Sequence, residues 1–398
     1  MTTAENPLLE RLPAEARLLL LAADPASRDD EVAQLLAQHT LDWESLIALA
    51  DRERASALLW RRIRPFVPGS IPAEIRERME RMAMVADFSA SYLEQRIGET
   101  LAHLEADGAT PIVLKGAALA ATVYGSFADR PMGDIDLIVE ATQAGRLWES
   151  VQRIGWRWDT DRYPSALYAG HHHLPPLDDS RGLDVRLELH TDLFVSGSPF
   201  PLDAPALRAR GTRIEFGKGH AIVPSREHLL LHACIHFTWS HMMSFGSWRA
   251  FRDVAALSTA GLDWELFEAE ARRNRAESSC YWTLRLAERL VGASLPEGLM
   301  TRLRRSTDAA WSGLCERHVI GEIFRSEHRC PSLWLRRLLW EQAIQPGRAG
   351  HGDVRPWLLD DLSPENLTPE RREGGVLRML RHFSRAGSWY RYARVLAR

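Results

Sequence analysis

Two aspartates begin the most apolar strand-like segment of the chain, which reads Gly133-Asp134-Ile135-Asp136-Leu137-Ile138-Val139. In a β-strand, residues two apart point to the same face, so Asp134 and Asp136 project together, away from the aliphatic residues. Two like charges at the start of a hydrophobic strand cost free energy unless a cation neutralises them. The pair favours Mg²⁺ or Mn²⁺, because hard oxygen ligands suit these ions. Alone, the pattern also fits a turn cap beside a solvated carboxylate.

The composition is that of an ordinary globular protein. The chain has 398 residues and a formal net charge of −3, which indicates two or three domains and gives no global drive toward nucleic acid or an anionic membrane. Its four cysteines show neither metal-ligand spacing nor a disulfide framework. There is no signal-peptide pattern and no run of the roughly 18–20 apolar residues that span a bilayer. We therefore expect a cytoplasmic protein without a membrane partner.

Hydrophobic spacing divides the chain into four regions. Residues 1–108 have the periodicity of helices, and residues 109–223 mix short strands with helices. Helical periodicity returns over residues 224–345, and residues 346–398 combine an irregular connection rich in Pro and Gly with a basic helix. The predicted fold class is α+β, a small mixed β-sheet core flanked by N-terminal and C-terminal helical segments.

Several elements are predicted individually. A long helix is expected from Ala73 to Asp107, ended by Gly108. Later helices are expected over Trp248–Thr259, Trp264–Val291 and Pro296–Trp311. Besides the Asp-x-Asp segment, the predicted strands are Pro111–Leu114, Trp156–Asp159, Ala169–Leu174, Asp184–Leu193, Arg213–Phe216 and Ala221–Val223.

Two basic side chains precede the acidic strand. Lys115 is one of only two lysines in the chain, and Gly116 follows it between a strand-like run and a helix. Glycine lets a ligand approach the backbone, and the first N–H groups of a helix favour phosphate. The Walker pattern is absent, and strand–Gly–helix is also common as plain structure. The guanidinium of Arg130 fits phosphate oxygens, or it orders the loop through Asp129 or Asp134.

A third carboxylate lies in a strictly alternating segment, which places on one face Asp184, Arg186, Glu188 and His190. A third acid beside the Asp-x-Asp strand would complete a two-metal site, which clamps the attacking and leaving oxygens of an in-line displacement. We select Glu188 as this ligand, with Asp184 as the alternative, although a solvated face has the same pattern. His190 is a general-base candidate, because a neutral imidazole accepts a proton near pH 7.

These motifs together carry a resemblance to a known family. The matching segments are Leu41-Asp42-Trp43, Leu114-Lys115-Gly116-Ala117-Ala118-Leu119, Tyr124, Arg130-Pro131-Met132-Gly133-Asp134-Ile135-Asp136-Leu137-Ile138-Val139, Glu188-Leu189-His190 and Trp248-Arg249-Ala250-Phe251-Arg252-Asp253. The chain resembles the uncharacterised nucleotidyltransferase family of the DNA polymerase β-like superfamily over about residues 10–260. Members often occur in bacterial natural-product gene clusters, including those for ribosomal peptides.

The resemblance implies metal-dependent transfer of a nucleoside monophosphate from NTP to an acceptor, with release of pyrophosphate. The acceptor would be a small molecule or peptide, or else a tRNA end. Mg²⁺ or Mn²⁺ would bind to Asp134, Asp136 and Glu188, and an acidic group or His190 would deprotonate the acceptor. The nucleotide would contact Lys115, Gly116, Ala117 and Arg130. Ala117 stands where the superfamily carries Ser or Gly after its first glycine, so Lys115 or Arg130 would compensate for the missing hydroxyl.

Two groups of histidines allow other readings. One is His171-His172-His173, and the other is a helical stripe of His228, His232 and His236, with His241 near its end. They can pack or line a substrate cleft, transfer a proton, or bind Zn²⁺. We expect the acceptor to be contacted by His232, His236 and His241, together with Trp248, Arg249 and Arg252. The rival functions are a non-catalytic nucleotide-binding or scaffold protein, and a hydrolase that uses histidine-bound Zn²⁺.

Overall fold

The computed structural model describes residues 8–24, 29–66, 71–244, 246–304, 309–325, 330, 332–344 and 386–397. Short helices lead into one long helix: α1 (Ala14–Ala23), α2 (Asp29–Gln38), α3 (Trp43–Arg52), α4 (Ser56–Ile63) and α5 (Ala73–Ala106). The predicted long helix is confirmed. Gly108, with a φ of 80°, follows its last residues, and the N–H of Ala109 bonds to the carbonyl of Leu104 at 2.9 Å. These are features of a glycine-terminated helix.

Seven strands form one mixed sheet in the order β3-β4-β5-β2-β1-β7-β6. They are β1 (Ile112–Val113), β2 (Asp134–Ile138), β3 (Trp156–Arg157), β4 (Leu177–Asp179), β5 (Arg186–His190), β6 (Thr212–Phe216) and β7 (Gly219–Val223). The pairs β2–β5 and β1–β7 are parallel, and the other pairs are antiparallel. The α+β class is confirmed.

The remaining helices lie between and after the strands. They are α6 (Lys115–Leu119), α7 (Ala144–Gln152), α8 (Ala204–Ala209), α9 (Arg226–Ile235), α10 (Ser247–Thr259), α11 (Trp264–Arg273), α12 (Glu277–Val291), α13 (Leu299–Leu303), α14 (Ala309–Glu322), α15 (Leu333–Ile344) and α16 (Ala386–Ala397). Helices α6 and α9 each continue into a π-helical turn, Ala120–Tyr124 and His236–Ser240. Of the region predicted as an irregular connection and basic helix, the part outside α16 lies outside the described residues.

The long helix α5 packs closely on the sheet at two glycines. A Cβ atom on Gly98 of α5 would lie 2.9 Å from the carbonyl oxygen of Phe216, and one on Gly219 of β7 would overlap the α5 backbone at Ala102. The buried Arg96 also reaches the sheet and pairs with Asp179 at 3.1 Å. This packing covers one face of the sheet. The polar side chains of β2 and β5 lie on the opposite face.

Three element predictions are wrong. Ala169–Leu174 is not a strand, because Gly170 has a φ of 78° and Pro175, which follows the segment, has no N–H for a ladder. The segment keeps only an isolated bridge between His173 and His190. The expected single helix over Trp264–Val291 is two helices, since Arg275 adopts a left-handed φ of 57° between them.

Pro296–Trp311 was likewise expected to be one helix. In the described part of that range, α13 ends at Leu303 and α14 begins at Ala309. Among the residues that the structure describes, no helix is long and apolar enough to cross a membrane.

Candidate active site

Three carboxylates lie on neighbouring parallel strands. Asp136 of β2 stands directly beside Glu188 of β5 in the register of the pair, and Asp134 stands beside Arg186. Ligand atoms of Asp136, Glu188 and His190 lie within 4.8 Å of one another. Asp136 is only 2% exposed, whereas Asp134 is exposed at the start of the strand. The structure therefore brings Asp136 and Glu188 together, with Asp134 next to them on the same face.

The alternative third acid, Asp184, is placed differently. It precedes β5 and is exposed, so it is not paired with a residue of the Asp-x-Asp strand. The geometry thus distinguishes between two acids that the alternating sequence pattern treated alike.

Two basic side chains contact the buried Asp136. Lys115 Nζ lies 2.6 Å from Asp136 Oδ1, and His190 Nε2 lies 2.9 Å from the same oxygen. His190 Nε2 is also 3.5 Å from Glu188 Oε2. Burial alone would raise the pKa of Asp136, but the charge of Lys115 and the hydrogen bond from His190 outweigh it and hold the pKa well below its usual value.

The other titratable groups shift with this network. Asp134 keeps an exposed surface at the start of the strand, but desolvation by the surrounding protein raises its pKa, and the charge of Asp136 raises it further. Burial also opposes the ionised form of Glu188, but the hydrogen bond from His190 and the charge of Lys115 lower its pKa. Burial lowers the pKa of His190, yet its bonds to Asp136 and Glu188 produce a net rise. A raised pKa favours a protonated imidazole, which donates to the carboxylates, so a general-base role for His190 stays a prediction.

Lys115 itself has an unusual backbone. Its φ of 50° lies in the left-handed region, where a residue with a side chain costs free energy on the order of 1 kcal/mol. Burial disfavours the ammonium ion, but Asp136, Glu188 and Asp134 raise its pKa. Such strain persists only where surrounding contacts hold it, and here the contact is the ion pair with Asp136.

Gly116 and Ala117 follow in the first turn of α6, and both are buried. A Cβ atom on Gly116 would lie 3.1 Å from the Met132 sulfur. Glycine at this position therefore makes room for Met132, which precedes the Asp-x-Asp strand. A phosphate contact by the backbone of Gly116 or Ala117 stays a prediction.

Arg130 is engaged in a buried ion pair with Asp253 of α10. Its Nε and Nη2 donate to the two Asp253 carboxylate oxygens at 2.7 and 2.8 Å, and Nη1 donates to the Pro131 carbonyl at 2.9 Å. Tyr124 Oη donates to Asp253 Oδ1 at 2.9 Å. This network fixes the loop before β2 against α10. It supports the alternative in which Arg130 orders this loop. The partner is Asp253 rather than the expected Asp129 or Asp134. A phosphate contact by Arg130 stays a prediction.

Two arginines that sequence reasoning did not assign to the nucleotide lie near Asp134. The guanidinium of Arg54 covers Gly133, so that a Cβ atom there would overlap it. Arg249 interacts electrostatically with both Asp134 and Arg54. Burial lowers the pKa of Arg249, and the charge of Arg130 adds to this effect. The cluster concentrates positive charge beside the exposed aspartate. In the sequence, only Gly133, which precedes Asp134, indicated that another group approaches the backbone closely at this position.

The consecutive histidines lie next to the carboxylates. Ring centroids of His172 and His173 are 5.3 and 5.0 Å from the His190 ring. Burial, aided by the charge of His173, lowers the pKa of His171 to about 4. In place of the strand expected over Ala169–Leu174, a turn and a bend bring all three histidine side chains together.

The helical histidines approach from another side. Burial lowers the pKa of His232 to about 3, and the charge of Lys115 also contributes, so the imidazole is neutral. The His236 ring lies 5.7 Å from that of His232 and 4.3 Å from that of His241. His228 lies apart from this group, 3.7 Å from Glu270.

The mixed sheet and its acidic strand pair are of the class expected for nucleotidyltransferases. A family model described as uncharacterised nucleotidyltransferase matches residues 39–292. The match covers more than half of the chain, so the chain belongs to this family, and the resemblance is confirmed. No curated protein matches the chain. Membership supports a general nucleotidyltransferase role, which implies an NTP substrate.

Proposed function

We propose that the protein transfers a nucleoside monophosphate from NTP to an acceptor in a metal-dependent reaction that releases pyrophosphate. The observation that carries the proposal is the alignment of Asp136 with Glu188 on adjacent parallel strands, with Asp134 beside them. Family membership independently supports nucleotidyl transfer. The acceptor would be a small molecule or peptide, with a tRNA end as the alternative.

The donor set suits Mg²⁺ or Mn²⁺. Asp134, Asp136 and Glu188 would hold the metal, because they supply hard carboxylate oxygens on one face of the sheet. The raised pKa of Asp134 supports this assignment, since it reflects desolvation and the neighbouring charge of Asp136, and a bound cation would offset both. When bound, such ions would stabilise the charge that develops on the transferring phosphoryl group and on the pyrophosphate.

Basic side chains on two sides would hold the triphosphate. Lys115 lies at Asp136, and a phosphate group would give its ammonium ion another anionic partner. Arg249 and Arg54 lie beside Asp134, where guanidinium groups can bind phosphate oxygens in bidentate fashion. The backbone of Gly116 and Ala117 would add to this set.

The remaining steps concern the acceptor and the positioning of the acids. His190 would orient Asp136 and Glu188 through the hydrogen bonds that it donates to them. A carboxylate would then take the proton from the acceptor nucleophile, with His190 as the alternative base. His232 and His236, held neutral by burial, would face the acceptor.

A second candidate, a non-catalytic nucleotide-binding protein, is favoured by one observation. Lys115 Nζ lies 2.6 Å from Asp136 Oδ1 and places an ammonium ion against a carboxylate that a metal would use. In that case NTP would bind equally well in Mg²⁺ and in EDTA, and no pyrophosphate would form.

The two candidates separate in one pair of assays. Calorimetry would measure NTP binding with Mg²⁺ and with EDTA, and a coupled assay would measure pyrophosphate release in the presence of amines, alcohols, peptides or tRNA. We expect Mg²⁺-dependent release that Glu188→Gln reduces and Asp184→Asn spares. Metal-independent binding without release would establish the non-catalytic alternative.

A further inference from the structure

The cluster of His171, His172 and His173 has the composition of a metal site. Each residue offers one ligand nitrogen, and these atoms lie within 4.8 Å of one another. The centroid of the His171 ring is 4.4 Å from that of His172 and 4.2 Å from that of His173. We propose that the three imidazoles bind a transition-metal ion of the Zn²⁺ type, separate from the Mg²⁺ that we assign to the carboxylates.

The hydrogen bond of His173 prepares that ring for coordination. Its Nδ1 lies 2.8 Å from the Leu174 carbonyl oxygen. A carbonyl only accepts, so Nδ1 carries the proton and Nε2 keeps its lone pair. Metal-binding histidines usually donate their second ring N–H to a carbonyl or carboxylate, because this bond fixes both the tautomer and the ring orientation.

His172 adds a second indication. Its Nδ1 is buried and has no hydrogen-bond partner among the residues that the structure describes. A buried polar atom without a partner destabilises the folded protein. A metal ion at the cluster would give one of the imidazole nitrogens of this residue a partner.

The backbone holds the three side chains close together. Gly170, with its φ of 78°, precedes them, and His173 is bridged to His190, the last residue of β5. Both features restrict the turn, so the rings converge where an extended strand would have pointed His172 away from its neighbours.

The ligand type selects the ion. Imidazole nitrogen suits Zn²⁺ and related transition metals, whereas Mg²⁺ prefers oxygen. Three protein ligands would leave one position of a tetrahedral ion open to water or substrate. Because the His172 and His173 rings lie 5.3 and 5.0 Å from that of His190, the ion would sit beside the carboxylate site rather than at a remote structural position.

The test is metal binding by the full-length protein, freed of any affinity tag and treated with chelator. Zn²⁺ alone would be titrated by calorimetry and Co²⁺ alone by visible absorption. We expect one equivalent of either ion and a Co²⁺ spectrum typical of nitrogen ligation. His172→Ala should weaken binding by at least the roughly 10–100-fold that loss of even an outer-sphere partner costs.

Matched variants define the site. Asp134→Asn removes a carboxylate but no imidazole. His220→Ala removes a histidine of β7 that is paired with Glu105 of α5. Both should keep the equivalent of Zn²⁺. Loss of binding in Asp134→Asn to the same extent as in His172→Ala would overturn the proposal, as would undiminished binding in His172→Ala or no binding by the unaltered protein.

A spectroscopic measurement covers the case in which His172→Ala fails to fold. X-ray absorption of the unaltered protein with one equivalent of Zn²⁺ should show scattering from three imidazole rings. A shell of oxygen ligands alone would contradict the proposal. Neither experiment contains nucleotide, so its result is independent of whether the protein transfers nucleotides.

Discussion

Asp134 and Asp136 should respond oppositely to removal of their charge, although they are two residues apart on one strand. Asp136 is 2% exposed and contacts Lys115 and His190. Asp136→Asn removes the counter-charge of Lys115 and weakens the bond from His190, and breaking a buried ion pair typically costs about 3–5 kcal/mol. If the chain of 398 residues unfolds in one transition, this loss lowers Tm by roughly 4–6 °C.

Asp134→Asn should leave Tm unchanged or raise it at pH 7. The pKa of Asp134 is raised by desolvation at the rim of the site and by the charge of Asp136, so its ionised form opposes folding. The assay is thermal unfolding followed by circular dichroism, in EDTA so that no divalent ion masks the effect. Asp184→Asn is the matched control, because it makes the same chemical change at an exposed position. Equal losses of Tm in Asp134→Asn and Asp136→Asn would refute the reasoning.

The pH dependence gives a second readout of the same variants. The folded pKa of Asp136 lies below the ordinary 3.8, so its stabilisation is present above 3.8 and is lost as pH falls through the folded value. The deficit of Asp136→Asn should therefore shrink in strong acid. The pKa of Asp134 is raised, so its contribution is most favourable below 3.8 and is lost as pH rises through the folded value. The advantage of Asp134→Asn should disappear as pH falls.

Two further predictions concern the arginines. Arg130→Lys removes the bidentate pair with Asp253, so Tm should fall while the calorimetric affinity for Mg-NTP stays nearly constant; a large loss of affinity without loss of Tm would instead place Arg130 at the phosphates. Arg249→Gln should weaken Mg-NTP binding roughly tenfold, equivalent to one charge-assisted hydrogen bond of about 1.5 kcal/mol, with little change in Tm. Unchanged affinity in Arg249→Gln would instead assign Arg249 to the acceptor, as expected from the sequence.

Local patterns were sufficient to predict the centre of the fold. The strand of Asp134 and Asp136 followed from alternation beside an apolar run, and the long helix ending before Gly108 followed from its periodicity and terminal glycine. These signals depend on neighbours in sequence. The choice of Glu188 over Asp184 depends on which residues of β2 and β5 lie side by side. Alternation along one strand does not determine this register.

What sequence reasoning missed depends on contacts between distant segments. Arg54 reaches Gly133 from the turn after α3, and Asp253 of α10 takes the guanidinium of Arg130. Neither contact leaves a periodic signal. The convergence of the three consecutive histidines was missed for a different reason. Their segment, Ala169–Leu174, was expected to alternate as a strand, although it contains Gly170 and is followed by Pro175.

The most direct test of nucleotidyl transfer at the three carboxylates is Mg²⁺-dependent release of pyrophosphate from NTP by four proteins. These are the unaltered chain, Asp136→Asn, Glu188→Gln and Asp184→Asn, each assayed with the acceptor panel and each checked for folding. We expect release by the unaltered protein and by Asp184→Asn. We expect losses on the order of a thousandfold in Asp136→Asn and Glu188→Gln, the scale of several kcal/mol of transition-state stabilisation. Full release by Glu188→Gln, or release that persists in EDTA, would contradict the account.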